Sequence, residues 1–180
     1  MDFNSRDVVS YGAVLGRVQG VGYVNELIAR LTGQPVQDNT QTNRTLDSSP
    51  ETFPLNRTFY ADFSHDNEMV SIYSALGLFQ QRLLPDQKLD PENPSPLRTW
   101  ILSRMVPFSA RMVVERLECP GALPLPKGIF VRIFVNDAIQ PLEFCGGVGG
   151  MCGLHAFVES QSYARHDGGG DFKKCYDDKI

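Results

Sequence analysis

The sequence predicts an α/β domain, on three observations. The apolar, aromatic run Thr58–Ser64 stops abruptly at His65–Asp66, and an amphipathic pattern follows at once. Two stretches, Val18–Thr32 and Glu68–Leu78, carry apolar residues at helical spacing. Two later stretches, Ser109–Cys119 and Ile129–Val135, carry strand patterns and are followed by a turn signal.

Taken in order, Val21, Val24, Leu27, Ile28 and Leu31 form the stripe of the first helix. Gly33 fits its stop, with Pro35 just beyond. Residues 34–57 are rich in Asn, Thr, Ser, Asp and Pro and read as a surface loop. Thr58–Ser64 reads as a buried strand because both of its faces are largely apolar. The next helix has the stripe Met69, Ile72, Tyr73, Leu76, and Asp66 or Asn67 suits its cap. Residues 84–98 hold Pro85, Pro91, Pro94 and Pro96, which exclude regular structure and predict a second surface loop. Ser109–Cys119 alternates between two faces, Ile129–Val135 is apolar, and Asn136–Asp137 turns the chain into Ile139, so an antiparallel hairpin is expected. Leu154–Ala164 reads as a last helix, and 165–180, with Gly168–Gly170, as a flexible tail. No repeat or second domain is visible. A chain of 180 residues is long enough for one domain with its own core.

A formal charge of -4 gives no footing for nucleic acid. No apolar run reaches the roughly 18–20 residues of a membrane span. The opening Met1-Asp2-Phe3-Asn4-Ser5-Arg6-Asp7 lacks the pattern of a signal peptide. The cysteines are Cys119, Cys145, Cys152 and Cys175, and four cysteines allow three pairings. Asn43-Arg44-Thr45 and Asn56-Arg57-Thr58 are glycosylation sequons, used only in a secreted chain.

His65 and Asp66 are the candidate catalytic residues. In open α/β sheets, ligands bind beyond the carboxyl ends of strands. A carboxylic acid beside an imidazole suits proton transfer to a leaving group. An aspartic acid donor implies an acidic working pH or a raised pKa, and a phosphate dianion nearby would raise it. A helix start also favours an anion. The bland alternative is a helix cap at Asp66 beside a half-buried His65.

Beyond the dipeptide, several segments carry a resemblance. They are Gly16–Thr32, Thr45–Pro50, Phe53–Asn56, Tyr60-Ala61-Asp62-Phe63-Ser64-His65-Asp66-Asn67, Val106–Arg111 and Arg132–Asp137. Cys145 with Cys152, then Phe157–Val158 and Ala164–Arg165, extend it. In these the chain resembles the fungal phytases of the histidine acid phosphatase family, over nearly its whole length. The resemblance implies a histidine-phosphatase (phosphoglycerate mutase-like) fold, of which the chain holds the C-terminal part of the central sheet with flanking helices. It implies phosphomonoester hydrolysis through a phosphohistidine, phytate as the typical substrate, no metal or organic cofactor, a secreted monomer and a Cys145–Cys152 disulfide. Asp66 is then the proton donor, His65 binds phosphate and Asn67 contacts substrate. The partners of Cys119 and Cys175 are expected in sequence that is missing here, leaving both unpaired.

The family's nucleophile lies in an Arg-His-Gly-x-Arg-x-Pro motif, and the chain does not contain one. Its single Arg-His pair, Arg165–His166, is followed by Asp167 and reads as solvent-exposed tail. The expectation is a truncated enzyme with little or no activity alone; the alternative is an inactive or weakly phosphate-binding remnant. Two rivals are weaker. Cys145, Cys152, His155 and Cys175 lack the close pairs of a zinc site. Gly146–Gly150 has no strand-glycine-helix register and reads as a turn rather than a nucleotide loop.

Overall fold

A computed structural model describes residues 15–80, 98–121 and 126–176. A short 3-10 turn, Val18–Gly20, leads into α1 (Val21–Thr32). Then come α2 (Arg44–Asp47), α3 (Asp66–Leu76) and α4 (Leu102–Met105). The sheet follows: β1 (Met112–Cys119), β2 (Gly128–Val135), β3 (Ala138–Ile139) and β4 (Met151–Gly153). Helices α5 (Leu154–Ser160), α6 (Ser162–Arg165) and α7 (Asp171–Lys174) complete the described chain.

β2 is the central strand because it is the most apolar. Phe130, Val131, Ile133 and Val135 are buried on it. It pairs antiparallel with β1 over its whole length, from Met112↔Val135 to Cys119↔Gly128. Its other edge is shared by β3, at Phe134↔Ile139, and β4, at Val131↔Cys152. Asn136 and Asp137 both have positive φ, 49° and 67°, which is the two-residue turn that matches strand twist. Asn136 also ties this turn to α4, donating from Nδ2 to the carbonyls of Arg104 (2.8 Å) and Met105 (3.1 Å).

The expected α1 forms, and Gly33 ends it in the left-handed conformation (φ 69°). Its stripe packs with Tyr73 and Leu76 of α3, Val131 and Ile133 of β2, Trp100, Met105 and Phe157 into one core. The 3-10 turn lies so close to α3 that a Cβ on Gly20 would sit 2.4 Å from the Ser71 carbonyl oxygen. Only glycine fits there without moving α3.

Four expectations are corrected. First, Thr58–Ser64 is not a buried strand. It is an irregular arm with Phe59 80% and Phe63 100% exposed. No described strand pairs with it, and a run apolar on both faces needs neighbours on both edges to be a strand. Second, the last helix is two helices. Gln161 leaves helical geometry (ψ 29°), and its buried amide donates to the Leu76 carbonyl at 3.4 Å. Third, the described part of the 165–180 tail is docked rather than loose. Gly168, Gly169 and Gly170 all take positive φ, and buried Gly168 lies against Val18 and Tyr163. The Asp167 carboxylate accepts from Asn39 N and Nδ2, and Tyr163 donates to Asp171. Fourth, the 34–57 loop is not wholly surface: it contains α2 and buries Asp38 and Phe53. The expected loop 84–98 lies outside the described residues apart from Arg98, and residues 177–180 lie outside them too.

Cys145 and Cys152 are disulfide-bonded with Cα atoms 6.2 Å apart, closing the Gly146–Gly150 turn. Cys119 and Cys175 are free.

Candidate functional site

The arm delivers His65 and Asp66 to the start of α3. His65 has extended geometry (φ -118°, ψ 164°), and its carbonyl accepts the first helical bond, from Met69 N at 3.0 Å. His65, not Asp66 or Asn67, therefore holds the cap position, and its side chain makes no capping bond. Asp66 is the first helical residue, with Oδ1 2.9 Å from the Asn67 backbone N–H. His65, Asp66 and Asn67 are all exposed, and among the described residues no ion pair engages any of them. The Asp66 carboxyl, free of ion pairs among the described residues, lies at the start of an eleven-residue helix, at the positive end of the helix dipole. The same place attracts an anion such as a phosphoryl group.

Among the described residues the arm makes no ladder bonds, and side chains hold it. Arg30 of α1 grips Asp62 through two nitrogens, Nη1–Oδ2 at 2.5 Å and Nη2–Oδ1 at 3.2 Å. Tyr23 donates to the same Oδ2 at 3.3 Å. The Arg30 guanidinium also lies over the rings of Phe53 (4.9 Å) and Tyr60 (5.1 Å). Beside this grip is an open pocket of about 270 Å³, lined by Gln19, Tyr23, Glu26, Asp62, Ser64 and Glu68 among others. Three of these are carboxyl groups. Burial, reinforced by Asp47, pushes the Glu26 carboxyl up to about 7. Burial and then Asp62 push the Tyr23 hydroxyl up to about 12. For Arg30 burial acts downward, but the bond and charge of Asp62 outweigh it and hold the guanidinium above its ordinary value. Three carboxyl groups make this pocket a poor seat for a phosphate dianion.

The other two histidines stand apart from this arrangement in role. His155 is exposed on α5. His166 is exposed at the end of α6, with Nδ1 2.6 Å from the Ser162 carbonyl. The disulfide removes two of the four candidate zinc ligands, and the described residues hold no group of three or more His, Cys, Asp or Glu arranged for a metal ion. No described helix is long and apolar enough to cross a membrane. The sequons Asn43 and Asn56 are both exposed; Asn43 caps α2 through its side-chain oxygen.

Sequence reasoning did not single out Arg30, Asp62, Tyr23 or Glu26. Two signals were present. Tyr23, Glu26 and Arg30 follow one another at intervals of three and four, a polar stripe opposite the apolar one on α1. Asp62 is a charge inside an otherwise apolar run, which requires a partner.

Residues 2–136 match the model of the histidine phosphatase superfamily, branch 2. The chain is 47% identical over 168 residues to Phytase A of Emericella nidulans, covering 92% of this chain and 34% of that protein. It is 46% identical over 169 residues to Phytase A of Aspergillus fumigatus, covering 92% and 35% respectively. It is 43% identical over 170 residues to Phytase A of Penicillium oxalicum, again covering 92% and 35%. The chain spans about a third of the length of the curated relatives it matches.

Proposed function

Because the chain belongs to branch 2 of the histidine phosphatase superfamily, we propose that His65 and Asp66 are the proton-donating half of a phosphomonoester hydrolase site. The observation that carries this reading is the exposed Asp66 carboxyl, without an ion pair among the described residues, at the start of α3 and directly after His65. In the first step a histidine nucleophile attacks phosphorus, the ester P–O bond breaks, and protonated Asp66 gives its proton to the departing alkoxide. In the second step the Asp66 carboxylate takes a proton from water as water displaces the phosphoryl group from histidine. His65 donates to a phosphoryl oxygen, and Asn67 contacts the substrate. Phytate and similar phosphomonoesters are the substrates that the Phytase A relatives suggest. The attacking histidine and the arginines that cradle phosphate are not among these 180 residues, since no Arg-His-Gly sequence occurs in them. The chain alone is thus expected to be inactive or weakly phosphate-binding. Secretion, a monomeric state and glycosylation at Asn43 and Asn56 accord with this reading.

The test is single-turnover chemistry on the isolated chain. Incubated with a chromogenic phosphomonoester at acidic pH, it releases no alcohol above the level of an Asp66→Asn control. Release that is abolished by Asp66→Asn would show a complete site within these residues and overturn the half-site reading.

A further inference from the structure

Among the described residues, side chains fasten the arm that presents His65 and Asp66, and most of that fastening converges on one guanidinium. Arg30 is largely sheltered, its side chain 14% exposed. It combines the paired contact to Asp62 with stacking on Phe53 and Tyr60, residues that flank the arm's beginning. A fork-shaped, planar cation satisfies both kinds of contact at once; lysine cannot. Just before the arm, Arg57 N donates to the Tyr60 hydroxyl at 3.1 Å, so fixing the Tyr60 ring also fixes the loop before it.

We propose that Arg30 is the positioning residue for the His65–Asp66 pair, clamping the arm that carries it, and that ionisation of Glu26 loosens the clamp. The proposal rests on the reading of His65 and Asp66 as the working pair. Glu26 stands one helical turn before Arg30, where an ionised carboxylate competes for the same guanidinium. The charged and titratable groups around Glu26 come from every neighbouring element. They are Tyr23 and Arg30 on α1, Asp38 in the following loop, Asp47 on α2, Asp62 on the arm and Glu68 across the pocket on α3. Among these described groups Arg30 is the cation. While Glu26 is protonated, Arg30 serves Asp62 alone. Once Glu26 ionises, it repels Asp62 and draws on the same cation, and the arm loses part of its hold. The raised proton affinity of Glu26 puts this change near neutral pH rather than in acid.

Trypsin cleavage after Arg57, which is exposed immediately before the arm, reads the clamp without requiring turnover. The intact chain is digested at pH 6 and pH 8 beside a synthetic peptide of residues 53–63, which cancels the protease's own pH dependence. Cleavage after Arg132, held in β2 by Glu115 at 2.8 Å, reports global opening. Arg30→Met and Asp62→Asn should each raise Arg57 cleavage about tenfold, with no further rise in the double variant and no change at Arg132. Arg30→Lys should recover only part of the protection. The intact chain should be cleaved faster at pH 8 than at pH 6, and Glu26→Gln should remove that difference. The NMR signals of the His65 ring should change in the Met and Asn variants. Unchanged Arg57 cleavage in both, or equal rises at Arg57 and Arg132, overturns the clamp. A pH difference that survives in Glu26→Gln overturns the role of Glu26. His65 signals indifferent to every variant separate the clamp from the pair. None of these readings depends on whether Asp66 is the proton donor, so a failure of that assignment is seen separately.

Discussion

Asn25 and Asp38 are joined by a buried hydrogen bond, Asn25 Nδ2 donating to Asp38 Oδ1 at 2.8 Å, and Nδ2 also reaches the Ala164 carbonyl at 3.0 Å. One amide therefore links α1, the loop after it and the end of α6. Removing it takes one bond from the Asp38 carboxylate, which still accepts from Thr40, Gln41 and Thr42, and one from the Ala164 carbonyl. Asn25→Ala should cost about 0.5–1.5 kcal/mol of stability, the usual net worth of lost internal hydrogen bonds whose partners keep other donors. Urea unfolding measures it; a loss below a few tenths of a kcal/mol would show that water takes over these bonds.

Asp38 and Glu26 should impose opposite pH trends. For Asp38, burial acts upward, but bonds from Asn25, Thr40 and Thr42 outweigh it and hold the carboxyl below its ordinary value. Its contribution is full above the unfolded value and is lost as pH falls through the folded one. Glu26 is the reverse. Its contribution is full below the ordinary value of 4.5 and is lost as pH rises to and through about 7. Thermal melting of Glu26→Gln should therefore show less decline between pH 5 and pH 8 than the parent chain. An identical decline would mean Glu26 titrates normally.

Gly20→Ala places a methyl group 2.4 Å from the Ser71 carbonyl oxygen. Overpacking of this kind costs about 1–3 kcal/mol. The backbone φ at Gly20 is -93°, so strain in that angle is not the cause. A neutral or stabilising Gly20→Ala would show that α3 shifts freely.

The disulfide closes a short loop with a sequence separation of 7. In the chain-entropy model such a closure contributes about 2–3 kcal/mol, so Cys145→Ser with Cys152→Ser should lower stability by that order. A thiol titration of the unfolded, unreduced chain should find two free thiols, those of Cys119 and Cys175. Finding none would mean the pairing differs.

What the sequence revealed and what it hid divide along a physical line. α1, α3 and the β1–β2–β3 hairpins follow from local periodicity, and Gly33, Asn136 and Asp137 mark their ends by backbone preference. Phe59–Phe63 misleads because its pattern describes a strand with neighbours, while pairing is a property of the whole sheet. Gly168–Gly170 misleads similarly: three glycines suggest freedom, yet they supply the positive φ that lets the chain dock on Val18 and Tyr163. His65 and Asp66 were visible as an adjacent pair. The Arg30–Asp62 clamp was not, because its partners are separated in sequence and meet only when the arm folds back over α1.

The claim that Asp66 hands a proton to the leaving alcohol is tested most directly by leaving-group dependence in a completed enzyme. This chain's residues are exchanged for the matching third of the Emericella nidulans Phytase A, with and without Asp66→Asn. Single-turnover rates are then compared for an alkyl phosphate and p-nitrophenyl phosphate. Asp66→Asn should slow the alkyl ester about 100-fold or more, and the nitrophenyl ester, whose leaving group needs no proton, far less. Equal slowing of both esters, or none, would contradict the account.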